Sequence, residues 1–257
     1  MSILRVCIRS FLLVLLLPVL SRADGVDPAK APGDRMSILV FPCESSPAVA
    51  DLAQVADDLL VKAILEKKRF RVVEKEKLQQ VVQEQLLSQK KLTDPEHSVR
   101  LGRIASAEAL LATRLLEEGK SLRLTARVIL TETGVSLELI SLKTEHSLSG
   151  AREMAAKLAA ALTQLLPLVE GEVTRMDGEK AVVRLFGAGT VSRGMKLIIY
   201  RRGKKIRHPV TGRSLGFDVA LLGEATAVES AQGSVWIRLS DRLRAKDVRP
   251  GDRAVTK

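Results

Sequence analysis

The spacing of apolar residues changes character once along this chain, near Pro167, and that change limits the possible folds more than any single motif. Before it, short apolar runs alternate with stripes of helical period. After it, helical stripes cease and short β-type runs follow one another between glycine turns. Ser37-Ile-Leu-Val-Phe41, closed by Pro42, reads as a buried strand. Val49 to Lys67 places Leu52, Val55, Ala56, Leu59, Leu60, Ala63 and Ile64 on one helix face. Arg69 to Val73 predicts a second strand, and Lys75 to Gln89 a second helix through Leu78, Val81, Val82 and Leu86. Thr93-Asp-Pro95-Glu96 reads as a helix start, with Thr93 as cap and Pro95 in the first turn. Strands are expected from Ala109 to Leu116, Leu122 to Thr131 and Val135 to Leu142, with a hairpin turn at Glu117 to Lys120 and a further turn at Thr133-Gly134. A helix from Ala151 to Leu166 stops at Pro167. The order β-α-β-α-α-β-β-β-α defines an α/β layer domain with a small mixed sheet.

Pro167 to Lys257 predicts a different architecture. Candidate strands are Glu170 to Arg175, Ala181 to Leu185, Lys196 to Tyr200, Ala220 to Glu229, Ser234 to Leu239 and Arg253 to Thr256. Turns are expected at Asp177-Gly178, Arg202-Gly203, Thr211-Gly212 and Gln232-Gly233. Six short strands at this spacing predict a small all-β barrel or sandwich. The domain reading is therefore 36–166 for the α/β unit and 167–257 for the β unit.

The first segment reads as an address. Arg5 and Arg9 precede an apolar run from Phe11 to Leu20, and Ser21-Arg22-Ala23 supplies small residues before a cut at Asp24. That is the layout of a cleaved secretory signal over 1–23, and ten apolar residues are about half of what a ~30 Å hydrocarbon core requires. Residues 24–35, rich in Pro, Gly and Asp, read as a flexible lead-in. The expected location is therefore the periplasm, where the two cysteines form no disulfide scaffold. Cys7 lies in the charged part of the leader, so it is not placed to carry a lipid. Cys43 follows a strand and is expected in the core, without a cation or histidine nearby to activate it.

Charge divides along the same line as periodicity. The net charge is +11 over 257 residues, and three of those charges, Arg5, Arg9 and Arg22, belong to the leader. Residues 24–166 carry 20 basic and 20 acidic side chains, whereas 167–257 carry 18 and 10. The whole excess of the mature chain lies in the β unit. Five fixed cations, Arg201, Arg202, Lys204, Lys205 and Arg207, crowd around Gly203. A second group includes Arg242, Arg244 and Lys246. These eight are the candidate site, a landing surface for an anionic partner; an edge that blunts strand pairing reads the same residues equally well. With only five Phe, one Tyr and one Trp the chain offers few rings for base stacking. Beyond the inner membrane the available polyanions are wall polymers, anionic headgroups and acidic proteins, not nucleic acid.

Catalytic patterns are sparse, and no enzyme activity, cofactor or metal is expected. Ser88-Gln-Lys-Lys91 matches the Ser-x-x-Lys pattern of penicillin-recognising enzymes but lacks its companion motifs. Gly187-Ala-Gly189 lacks a third glycine and a following helix, so it reads as a turn. His97, His146 and His208 are far apart and read as surface or turn residues.

Ser37-Ile-Leu-Val-Phe-Pro42, the helix to Lys67, Phe70-Arg-Val-Val73 and Leu78-Gln-Gln-Val-Val-Gln-Glu84-Gln85 together resemble the CsgG curli-secretion family. Looser relatives are the TolB amino-terminal domain and the outer-membrane lipoprotein activators of penicillin-binding proteins. Lys75 stands where the family commonly has Arg. The likeness continues through Leu101-Gly102 and Ala107-Glu-Ala-Leu110, and covers about 36–166. Gly194 to Arg201, Ile206 to Gly212, Leu215-Gly216 and Val248 to Arg253 resemble the carboxy-terminal domain of flagellar assembly protein T. These resemblances imply a non-enzymatic periplasmic protein that assists assembly or regulation of an envelope structure, of flagellar basal-body or envelope-complex type. Envelope proteins, a second copy of the chain, peptidoglycan or an anionic lipid surface are the implied partners. A curli-type outer-membrane secretion accessory is the alternative. Channel activity itself is not expected, because the turn at Glu117 to Lys120 is too short to hold a membrane-crossing hairpin.

Overall fold

Met36–Val40 (β1) is apolar at nearly every position because it is covered on both faces. In the computed structural model, which describes residues 31–73, 95–187 and 189–257, β1 lies inside a mixed sheet. It pairs in parallel with Phe70–Val72 (β3) and Ala109–Glu118 (β4). Sheet order continues antiparallel through Ser121–Leu130 (β5) to Ser136–Glu145 (β6), and the two-residue Glu44–Ser45 (β2) pairs with β4. Ala50–Glu66 (α1) and Leu148–Leu165 (α3) pack against each other and on one sheet face, meeting Ile38, Leu111, Leu124 and Val128. Pro95–Ala105 (α2) covers part of the other face, where Leu101 and Ala105 meet Leu39, Phe41, Leu110 and Ile129.

Local chemistry sets the boundaries. Along β5 every second residue from Leu122 to Val128 is buried, while Arg123, Thr125 and Arg127 stay partly exposed on the other face. Helix α3 begins three residues earlier than its apolar stripe suggests. Ser147 Oγ accepts the Gly150 N–H at 3.0 Å and so caps the helix at Ser147, satisfying one free amide of its first turn. The expected helix over 75–89 and the Ser88 to Lys91 motif lie outside the described residues. Strands β4 and β5 run two residues and one residue closer to the turn than expected, and are fully paired with each other inside the sheet.

Glu170–Asp177 (β7), Lys180–Leu185 (β8), Lys196–Arg207 (β9), Ser214–Ala231 (β10), Ser234–Leu239 (β11) and Arg253–Thr256 (β12) close into an antiparallel barrel, ordered β10-β11-β8-β7-β12-β9. Of the two architectures open from sequence, barrel closure is the one adopted. Its interior is narrow, so alanine and β-branched residues fill it: Ala181, Val183, Ala225, Ala227, Val235 and Ile237 are all nearly inaccessible. Gly178 and Gly233 take positive φ in two of the tight turns, as their Asp-Gly and Gln-Gly contexts predict. The described end of the lead-in packs on the outside of the barrel, with Ala31 against the cluster of Ile198, Tyr200 and Val255.

The two parts share one continuous core. It runs from α1 and α3 through Leu166 and Val169 into the barrel interior at Val173 and Leu197. Among the described residues no helix is long and apolar enough to cross a membrane.

Candidate interaction surface

One sequence expectation fails here with a clear physical reason. The basic run was expected in a turn at Arg202-Gly203, with β9 ending at Tyr200. Instead β9 continues to Arg207 and β10 starts at Ser214, forming a long two-stranded arm beyond the barrel wall. Gly203 lacks the positive φ that a turn glycine supplies, and lies opposite Asp218, whose Cβ would be 3.1 Å from an added Cβ. The strand absorbs the irregularity in a bulge between the Phe217 and Val219 pairs instead of turning. The reversal comes at 208–213. His208 is the staple of that turn: its N–H donates to the Arg213 carbonyl, its carbonyl accepts from Gly212, and Nδ1 accepts from Val210 and Thr211 N–H at 3.3 and 3.2 Å.

The eight candidate cations divide by what they touch. Arg201 is a clamp at the base of the arm. Its guanidinium donates to both carboxylate oxygens of Asp252 at 2.7 and 2.8 Å and to the Asp247 carbonyl at 2.9 Å. The bond to Asp252 holds Arg201 above its usual range. Arg202 donates to Glu170 at 3.0 Å and lies over the Phe217 ring, 5.0 Å from its centre. Glu170 also accepts from the Tyr200 hydroxyl, and burial followed by that bond pushes the phenol upward. Arg207 reaches the Gly212 carbonyl at 3.3 Å. Lys204 and Lys205 are exposed and make no ion pair among the described residues.

The second basic group joins the first. Asp247 ends the loop that carries Arg242, Arg244 and Lys246, and its bond to Arg201 fixes that loop at the arm's base. Leu243 packs beside Gly223 of β10, where an added Cβ would meet it at 3.0 Å. Arg244 pairs with Asp247 at 3.0 Å, an exposed contact of small energetic weight. Two runs separated by more than thirty residues thus share one end of the barrel.

A second polar site, which sequence reasoning did not single out, lies between the two parts. Arg69 is 2% exposed, yet it donates to the carbonyls of Leu166 at 2.9 Å and Pro167 at 3.3 Å and to the main-chain oxygen of Lys257 at 2.7 Å. Burial pushes it down to about 10, with Glu108 pulling the other way, so it stays charged at neutral pH. Glu108 accepts the Ser37 N–H at 3.0 Å and pairs with Lys257 Nζ at 2.9 Å. Burial opposes the Lys257 charge, but bonds to Glu224 and Glu108 outweigh it and raise that group. Ser37, Glu108 and Lys257 border a polar cavity of about 320 Å³ that Arg71, Arg103, Lys196 and Glu132 also line. Nothing in the sequence marks Arg69, which follows Lys67 and Lys68 and alternates with Phe70 like an ordinary edge residue.

Burial pushes the Cys43 thiol up to about 11, the hydrogen bond from Thr113 notwithstanding, so it is a poor nucleophile. His146 has an acidic neighbour that the sequence did not suggest, with Nδ1 3.1 Å from Glu117 across the hairpin end. The side chain of His97 lies outside the described residues. No cluster suited to a metal ion occurs among the described residues.

Residues 35–122 match the family model described as curli production assembly/transport component CsgG. That stretch, from β1 to the start of β5, is CsgG-like, as Ser37 to Val73 and Leu101 to Leu110 suggested. Similar solved structures include the LpoB C-terminal domain from Salmonella enterica, at 19% identity and TM-score 0.36 over 45% of this chain and 88% of that one. Lipoprotein GNA1162 from Neisseria meningitidis aligns at 20% identity and TM-score 0.36, covering 50% and 95%. TolB from Acinetobacter baumannii aligns at 11% identity and TM-score 0.36, covering 83% and 60%. A search of curated proteins gave no match.

Proposed function

We propose that this is a non-enzymatic interaction protein of the periplasm, exported by the leader over 1–23, that assists assembly or regulation of an envelope structure. The units 36–166 and 167–257 divide the work. The CsgG-like unit presents a surface to an envelope protein or to a second copy of the chain. The barrel presents the basic arm to an anionic partner. The observation that carries the second half is the convergence of Arg202, Lys204 and Lys205 with the loop of Arg242, Arg244 and Lys246 around the Arg201–Asp252 clamp. The CsgG match supports the first half and also favours a narrower reading, a curli-type outer-membrane assembly accessory. The flagellar assembly protein T likeness favours a basal-body role for the same architecture.

Cell fractionation with the mass of the mature N-terminus tests location and separates these readings. A chain beginning at Asp24 in the periplasmic fraction is expected. An uncleaved cytoplasmic chain sinks the envelope reading, and a lipid-bearing N-terminus moves it to the curli-type alternative. For the arm, binding to anionic envelope material should weaken steeply with salt. If reversal of Lys204 and Lys205 leaves every such interaction unchanged, the arm is not the contact.

A further inference from the structure

Six of the thirteen large apolar residues exposed among the described residues fall within the arm, between Ile206 and Leu221. Single exposed apolar side chains are ordinary, but a concentration at the end of a projecting element is not. Val210, at the tip, is 87% exposed, and Leu215 is 58% exposed. Phe217, Val219 and Leu221 alternate along β10 and share a face with their cross-strand partners Lys205, Arg202 and Tyr200. Between Arg201 and Phe217 there are six fixed cations and no carboxylate; Asp218 is the first acid. The arm is thus apolar and cationic at once.

We propose that this arm docks on an anionic lipid bilayer, its tip and the Phe217 face entering the headgroup and upper acyl region while its lysines and arginines meet the phosphates. The proposal rests on the landing-surface reading above and names its partner. Charge complementarity supplies attraction, and the apolar residues decide among anions. A wall polymer or an acidic protein tail would employ the cations and leave Val210, Leu215 and Phe217 in water. Strand addition to a partner sheet is disfavoured by the three register shifts along the β9–β10 pairing, which break the regular edge it needs. Lys and Arg stems suit the interface, since they reach upward to phosphates while their methylenes stay among the chains.

The arm lies on the membrane and does not cross it. Arg201 to Arg207 spans roughly 23 Å at ~3.3 Å per residue, short of a ~30 Å core. A two-stranded ribbon also leaves both outer edges unpaired, which hydrocarbon does not tolerate. A depth of about 5–10 Å suits its composition.

Sedimentation of the mature chain with vesicles tests this, using phosphatidylcholine alone against equal parts phosphatidylethanolamine and phosphatidylglycerol. Binding to the anionic vesicles only is expected. Lys204→Glu with Lys205→Glu, and separately Val210→Asp with Phe217→Asp, should each lower partitioning by more than about tenfold. In a Val210→Trp chain, lipids brominated on their acyl chains should quench the new indole and leave Trp236 of the native chain bright. Native-like binding by the Val210→Asp, Phe217→Asp protein, or an unquenched Trp at 210 in bound protein, overturns the proposal. If the native chain ignores both vesicles yet binds purified sacculi in a Lys204- and Lys205-dependent way, the lipid assignment falls while the landing surface stands. If it binds neither, both fall.

Discussion

Arg69 and Lys204 both belong to short basic runs, Lys67-Lys68-Arg69 and Arg201 to Arg207, and both lie on strands or at their margins. Their surroundings differ in every other respect. Arg69 is enclosed, with three main-chain oxygens around its guanidinium, and joins β3's end to Leu166, Pro167 and Lys257. Lys204 stands exposed on the arm. An enclosed cation holds a structure together and has nothing left for a partner. An exposed one contributes little to stability and keeps its charge available. Arg201 lies between these extremes, exposed at its edge but bonded to Asp252 and Asp247, and it ties the free cations to the rigid barrel.

The largest effect should come from breaking the enclosed end of that comparison. Arg69→Ala takes its donor from the inward oxygens of Leu166 and Lys257, leaves Pro167 only the Thr256 hydroxyl, and removes the charge that faces Glu108. Each buried acceptor left unsatisfied costs about 1–3 kcal/mol, so the loss should come to about 3–5 kcal/mol. For a chain of this size that is a fall in Tm of about 10 °C. Arg69→Lys should recover only part of it, because one ammonium cannot replace a forked guanidinium. Calorimetry of the two variants checks this, and equal Tm values for Arg69→Ala and the native chain would remove the junction from the account.

Close packing at the same junction gives the second effect. Gly102 on α2 lies so near β5 that an added Cβ would fall 2.2 Å from Thr131 Cβ, and Thr131 Oγ1 is itself bonded to the Ala107 carbonyl at 2.7 Å. Gly102→Ala must push α2 off the sheet, at a cost of about 1–3 kcal/mol. The cavity lined by Gly102, Glu108 and Lys196 should widen with it. Urea unfolding measures the first, and faster amide exchange at Ala107 the second.

Much of this fold is legible in the chain. The alternation in β5, the stripe of Leu60 and Ile64, and the Gly178 and Gly233 turns are local signals with one reading each. What is hidden depends on distance in space. Arg69 looks like any basic residue beside a strand, and only the return of Leu166 and Lys257 makes it central. The extension of β9 past Gly203 was hidden for another reason: glycine beside two cations reads as a turn, and the bulge that carries the ladder past it is set by pairing with β10. The candidate cations were visible as a group. Their division into clamp, neutralised pair and free charge was not, because Asp252, Glu170 and Asp247 lie 32 to 51 residues away.

Cys43 offers a pH test of enclosure that involves no cation. Its thiol is held up to about 11 against an ordinary value of 9.0, because burial disfavours the thiolate. The unfolded chain releases this proton first, so between pH 9 and 11 the native state binds more protons and stability falls as pH rises. The loss should total about 2 kcal/mol by pH 11, and Cys43→Ala should flatten that part of the pH profile. Below pH 9 both states keep the proton and Cys43 contributes no slope. Native protein should also resist alkylation that denatured protein accepts.

The smallest effect on stability belongs to the exposed end, and it sharpens the comparison most. Lys204→Ala with Lys205→Ala removes two charges that make no ion pair among the described residues, so stability should change by less than about 0.5 kcal/mol. Removing like charges from a crowded arm can even raise it slightly, and that gain should vanish in high salt. The same pair of substitutions should weaken binding to anionic vesicles and flatten its salt dependence. A large fall in Tm instead would mean that these lysines have partners in the folded chain, and exposure would no longer separate the arm from the junction. An unchanged Tm with lost binding would show cations held in reserve for a surface outside the molecule.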